Sequence, residues 1–190
     1  MTVSDAALLE QRREAILDAA CDDFAEKGFT ATTMAHIAKR VGMSVGNLYN
    51  YFPSKDAILS ALAQRESSQN AEYARRFIRG EISHSEQRNN LIAHIKERMK
   101  PMSARVMLEV FVEATHNDKI AEIVHRYDED VRAFLPEIYT QAGLTPEQIR
   151  AKIAVNMVLM DGIMIRALAQ PDLDADFVAP VIADQILTLR

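Results

Sequence analysis

The sequence predicts an all-α protein of about nine helices, and three observations lead there. Six glycines and six prolines in 190 residues, with no tryptophan, are too few turn residues for a fold of many short strands. Apolar residues recur at helical spacing over long stretches, and no segment alternates convincingly. Stop and cap residues fall at intervals of helix length. Hydrophobic residues make up 48% and charged residues 26%, ordinary globular usage, which excludes disorder and low complexity. At roughly 150 residues per domain, this length accommodates one large or two small domains.

Glu10 to Lys27 reads as an amphipathic helix with Ala15, Ile16, Ala19, Ala20 and Phe24 on one side, stopped by Gly28. Cys21 cannot form an internal disulfide and reads as a small hydrophobe of this helix's core face. Thr32 or Thr33 then caps a short helix carrying Met34, Ile37, Ala38 and Val41, which ends at Gly42. Met43 plugs the turn, and Ser44 caps a second short helix holding Val45, Leu48, Tyr49 and Phe52. Pro53 forbids continuation, so a new helix starts at Lys55 and runs to Arg79. The polar stretch EISHSEQRNN is the linker candidate. Beyond it, helices are expected over 87–100, 104–115, 118–141, 146–169 and 175–190. The nearly apolar run 151–169 is interrupted by Lys152, Asn156, Asp161 and Arg166, so no membrane span is expected. With no signal-like start either, the expectation is a soluble cytoplasmic protein.

The formal net charge is -5, yet from Lys27 to Lys55 there are four cations (Lys27, Lys39, Arg40, Lys55) and no acid. Net charge describes the whole surface, whereas nucleic-acid binding needs one basic face. Two short helices joined by a glycine turn form a helix-turn-helix, whose second helix enters the major groove. The segment HIAKRVGMSVGNLYNYFPSKDAIL, after a helix ending in FAEKGF, resembles the N-terminal DNA-binding domain of TetR-type transcriptional regulators. Matching positions include Phe24, Gly28, Thr32, Thr33, Ile37, Ala38, Gly42, Ser44, Gly46, Leu48, Tyr49, Tyr51, Phe52 and Lys55. His36 stands where that family more often has a small or acidic residue. The resemblance implies a helix-turn-helix domain over 10–70 (the motif itself 33–52) and an effector-binding and dimerisation domain over 71–190. The strings MLEVFVEATHNDKIAEIV and DGIMIRALAQPD look like effector domains of the large AcrR-like subgroup.

On the second short helix, Asn47 and Asn50 can pair with adenine edges or phosphates, and Val45 can touch a thymine methyl. Gly46 lets the backbone approach the duplex, while Tyr49 and Tyr51 offer hydroxyls to phosphates. Thr33, His36, Lys39, Arg40 and Ser44 would flank the groove, and Lys55 would place a cation beside another phosphate. Farther on, Glu109 and Glu113 are the only charges between Arg105 and His116, and Asp161 lies in an apolar run that predicts burial. With Met107, Phe111, Met157, Met160 and Met164 they would line an adaptable cavity, suited first to a lipophilic cation. Solvent-facing stripes and ordinary core are the alternatives for these residues. Val158, Ile165, Val178, Ile182 and Ile186 would pair with their copies in a homodimer.

No HExxH, GxSxG, CxxC or phosphate-loop string is present, so neither catalysis, a metal nor a cofactor is expected. The expectation is a repressor that binds a palindromic operator in double-stranded DNA and is released by a small amphiphilic effector. The alternative is a constitutive or protein-partner-controlled DNA-binding protein without a pocket.

Overall fold

A computed structural model of the chain describes residues 3–188, which contain nine helices and no strand. They are α1 (Val3–Lys27), α2 (Met34–Val41), α3 (Val45–Tyr51), α4 (Lys55–Ile78), α5 (His84–Met99), α6 (Pro101–Ala114), α7 (Asp118–Gln141), α8 (Pro146–Ala169) and α9 (Ala175–Leu187). The differences from expectation are at helix starts. The linker candidate supplies Ser83 as N-cap of α5, its hydroxyl accepting from the Glu86 N–H at 3.1 Å. Pro101, in the gap expected between the helices over 87–100 and 104–115, is the first residue of α6, where its missing N–H costs nothing.

The chain forms two compact units: residues up to Arg65 with Glu109–Val124, and Glu66–Leu108 with the chain from His125 onward. The segment 109–124 therefore packs with the N-terminal helices. In the first unit, Ile16, Phe24, Ile37, Leu48, Phe52 and Ile58 are almost fully buried. Phe24 and Phe29 meet edge to face at 5.2 Å. Gly28 ends α1 at φ +86°, and a Cβ there would lie 2.5 Å from the Glu109 carboxylate. Backbone conformation and space both demand glycine.

In the second unit α5 packs against α8 and α9. Ile95 and Met99 of α5, Ile163, Met164 and Ala167 of α8, and Ala179, Ala183 and Ile186 of α9 are buried. Two ion pairs fix the register of α5 and α9. Arg88 grips Asp184 through two bonds of 2.6 and 3.0 Å, and Lys96 meets Asp176 at 2.5 Å. The early residue of one helix pairs with the late residue of the other, so the two run antiparallel. A smaller cluster joins Tyr139 of α7 to Ile149 and Ile153 of α8. There the buried Asn156 amide donates to the Tyr139 hydroxyl, and burial pushes that phenol up to about 12.

Candidate nucleic-acid interface

The turn between α2 and α3 is capped at every junction. The Thr33 hydroxyl accepts from the His36 N–H at 3.3 Å, and His36 Nδ1 accepts from the Thr33 N–H at 3.3 Å. This is a reciprocal capping box with histidine in the place usually held by Glu or Gln. The departure of His36 from the family pattern thus has a local reason: its ring does the acidic residue's capping work. Gly42 leaves α2 at φ +75°, and the Met43 N–H returns to the Ala38 carbonyl at 2.9 Å. Ser44 caps α3, accepting from the Asn47 N–H at 3.2 Å.

These junctions set the rotation of α3. Leu48 and Phe52 face the core, while Val45, Gly46, Asn47, Tyr49 and Asn50 are exposed and Tyr51 is half-buried. Nothing lies within 4 Å of a Cβ built on Gly46. Arg13 of α1 locks the far end of α3. Its guanidinium lies 4.4 Å from the centroid of the Phe52 ring and donates to the Tyr51 carbonyl at 3.1 Å. Sequence reasoning missed Arg13, because nothing local marks a residue that acts 38 positions away.

The basic island is largely occupied within the protein. Arg40 pairs with Asp22, Asp23 and Glu26, and Lys27 pairs with Asp23, all on α1. Burial of Asp23 opposes its ionisation, but bonds from Lys27 and Arg40 outweigh it and hold the carboxyl below its usual range. Lys55 is half-buried: its ammonium donates to the Phe29 and Thr30 carbonyls at 2.7 and 3.2 Å and lies 4.3 Å from the Phe29 ring centroid. Burial pushes that ammonium down, against Asp56, Glu113 and Glu109. One of its three N–H groups remains for any other partner. Of the four cations counted in the island, Lys39 alone has no ion pair or hydrogen bond of its side chain among the described residues.

The expected cavity residues are divided between the two units. Glu109, Phe111 and Glu113 belong to the first unit, whereas Met107, Met157, Met160, Asp161 and Met164 belong to the second. Glu109 accepts from the Thr30 N–H at 3.3 Å, and Glu113 from the Asn117 side chain at 3.1 Å. Asp161, for which burial was expected, is exposed, because the inward face of α8 at that turn is taken by Ile163 and Met164. Met164 is buried, and Met157 and Met160 are half-buried. Of the expected dimer residues, Val158 and Ile165 are 70% and 59% exposed. Val178 and Ile182 are half-buried. Ile186 is a correction: it is buried within its own unit, on the α9 face that carries Ala179 and Ala183. The exposed apolar residues of α9 are Phe177 and Val181.

A capped helix-turn-helix, followed by a wholly helical region, defines a helix-turn-helix protein. Residues 16–62 match the bacterial regulatory proteins of the tetR family, and residues 88–190 match the C-terminal domain of BetI-type transcriptional repressors. The chain belongs to the TetR family of transcriptional regulators, with a second domain of the BetI type. The HTH-type transcriptional regulator HbdR of Aromatoleum sp. (strain CIB) is 44% identical over 57 residues, 30% of this chain and 25% of HbdR. The match therefore spans only a quarter of that relative's length. An HTH-type regulator from the dhlA 5' region of Xanthobacter autotrophicus is 27% identical over 85% of this chain and 82% of its own. Among solved structures, the SmeT–triclosan complex has a TM-score of 0.72 at 20% identity, covering 93% of this chain and 90% of SmeT. No helix of the described residues is long and apolar enough to cross a membrane.

Proposed function

We propose that this regulator is a ligand-responsive repressor that binds a palindromic operator as a homodimer. The observation that carries the reading is the exposed face of α3. Val45, Gly46, Asn47, Tyr49 and Asn50 present two amides, a hydroxyl, a methyl surface and open backbone, with no acid among them. Asn47 and Asn50 supply base readout, and Tyr49, Tyr51, Ser44 and Lys39 supply phosphate contacts. Thr33 and His36 hold the entry to α2.

The homodimer rests on Val155, Val158 and Ile165, which form one exposed stripe of α8, and on Phe177 and Val181 of α9. Pairing of these faces sets two recognition helices about 34–36 Å apart, one turn of B-DNA. The effector reading is supported by the BetI-type second domain and by the triclosan in the SmeT neighbour. Helices α4, α6 and α7 each contribute residues to both units. A ligand that favours another arrangement of these helices in the second unit therefore shifts the population away from the DNA-competent state. The carboxylates lend a lipophilic cation little support, since Glu109 and Glu113 already accept hydrogen bonds from Thr30 and Asn117 and Asp161 is exposed.

The test is selection of bound genomic fragments followed by anisotropy on the recovered site. Asn47→Ala and Asn50→Ala should each relax base preference by about 1–3 kcal/mol at one position of each half-site. Unchanged preference in both variants would remove α3 as the reading helix.

A further inference from the structure

We infer that Arg98 anchors the effector, and that the effector is an amphiphile carrying a carboxylate. This deepens the ligand-responsive reading and rests on it. Arg98 of α5, its side chain 13% exposed, holds together a polar cluster drawn from α4, α5 and α7. Its Nε donates to His94 Nε2 at 3.0 Å. Its Nη2 donates to the Tyr127 hydroxyl of α7 at 2.8 Å and to Glu66 Oε1 of α4 at 3.1 Å. The Tyr127 hydroxyl in turn donates to Glu66 Oε1 at 2.9 Å. A guanidinium has five N–H groups, and three are thereby matched to nitrogen or oxygen acceptors.

The remaining two, on Nη1, face only the Met164 thioether of α8 at 3.6 Å among the described residues. Sulfur is a weak acceptor, so the strongest donor of this interior is left with its poorest partner. A ligand carboxylate in the thioether's place turns that contact into a charge-assisted pair of bonds. Glu66 does not forbid it, because guanidinium groups with two carboxylates already occur here: Arg65 meets Glu14 at 2.9 Å and Asp18 at 2.8 Å. Asp161 lies close enough to feel the Arg98 charge, but no hydrogen bond joins the two among the described residues. A cation in the same place would meet the guanidinium head on. Met160 and Met157, one and two turns before Met164 on α8 and both half-buried, give an alkyl tail adaptable apolar surface.

The test is calorimetry on the full chain with three probes below their micelle concentrations: dodecanoate, dodecanol and dodecyltrimethylammonium. Dodecanoate should bind at least tenfold tighter than either of the others. Met164→Gln, similar in volume, would present an amide oxygen to Nη1 and so occupy the ligand's place. It should weaken dodecanoate at least tenfold. If Met164→Gln fails to fold by circular dichroism, Arg98→Lys, which keeps charge but lacks Nη1, should show the same loss. Tighter binding of the ammonium or alcohol, wild-type affinity in the folded Met164→Gln or Arg98→Lys protein, or no dodecanoate binding at millimolar concentration would overturn the proposal. Operator binding without probe, measured on the same preparations, separates the two readings. Its absence removes the regulator reading and leaves the carboxylate site standing, whereas intact operator binding without dodecanoate preference removes the site alone.

Discussion

At Gly46 the requirement for a small residue comes from outside the protein, whereas at Gly28 it comes from within. Gly46→Ala meets nothing within 4 Å and replaces a poor helix former, so it should leave thermal stability unchanged or slightly raised. Operator affinity should nevertheless fall by tenfold or more in an anisotropy titration, because the added methyl sits where the duplex approaches. Gly28→Ala should lower stability by at least about 1–3 kcal/mol in urea titration, through strain at positive φ and collision with Glu109. Asp23 gives a third residue-scale expectation. Asp23→Asn should cost about 1–3 kcal/mol, since it removes the shared partner of Lys27 and Arg40 from a buried position. The depressed carboxyl contributes stability that is complete above its unfolded pKa, about 4. That contribution is lost as pH falls through the lower folded value. Urea titrations from pH 7 to pH 3 should therefore show a steeper acid loss in the wild type than in Asp23→Asn.

At the scale of elements, cap chemistry and apolar spacing made the helices legible, down to the Gly42 turn and the Ser44 cap that orient α3. The interior of the second unit was not legible. Glu66, His94, Arg98, Tyr127 and Met164 come from four helices and converge only when those helices pack. In the string HIKERMK, Arg98 reads as one more solvated charge. The cluster predicts a pH effect with a definite sign. Burial first, and Arg98 second, push the His94 imidazole below its ordinary value, against Glu66 and Glu97. The unfolded chain therefore binds a proton between that lowered pKa and about 6.5 while the folded chain does not. Stability should decline as pH falls from about 7 through this window. His94→Gln keeps an acceptor for Arg98 but cannot titrate, so its melting temperature should be flatter over the same range.

On the scale of the whole molecule, the proposed homodimer would couple association to DNA binding, and the split between buried and exposed apolar residues lets folding be tested apart from pairing. Val158→Glu or Phe177→Glu should yield folded monomers by light scattering and circular dichroism, with operator affinity reduced. Ile186→Glu should instead unfold the second unit, because that side chain is 8% exposed within its own chain. Counting charge along the sequence misjudged the basic island, because the acids that neutralise it sit just outside the window, on α1. Asp22, Asp23 and Glu26 close on Arg40 only after α1 and α2 pack. A dimer with one unpaired Lys39 per half should show a shallow salt dependence, with a slope of log affinity against log salt no steeper than about −4.

That pairing has a consequence for life inside a genome. Attraction to arbitrary phosphate backbones is what holds a DNA-binding protein on the millions of sequences that are not its target. A head whose cations are tethered to its own first helix is poorly retained by that background. Such a head is expected to sample the chromosome by brief encounters and to stay only where amides and hydroxyls find their bases. Freeing Arg40, by exchanging Asp22 and Glu26 for neutral residues, should lengthen every encounter and blur the distinction between operator and bulk DNA.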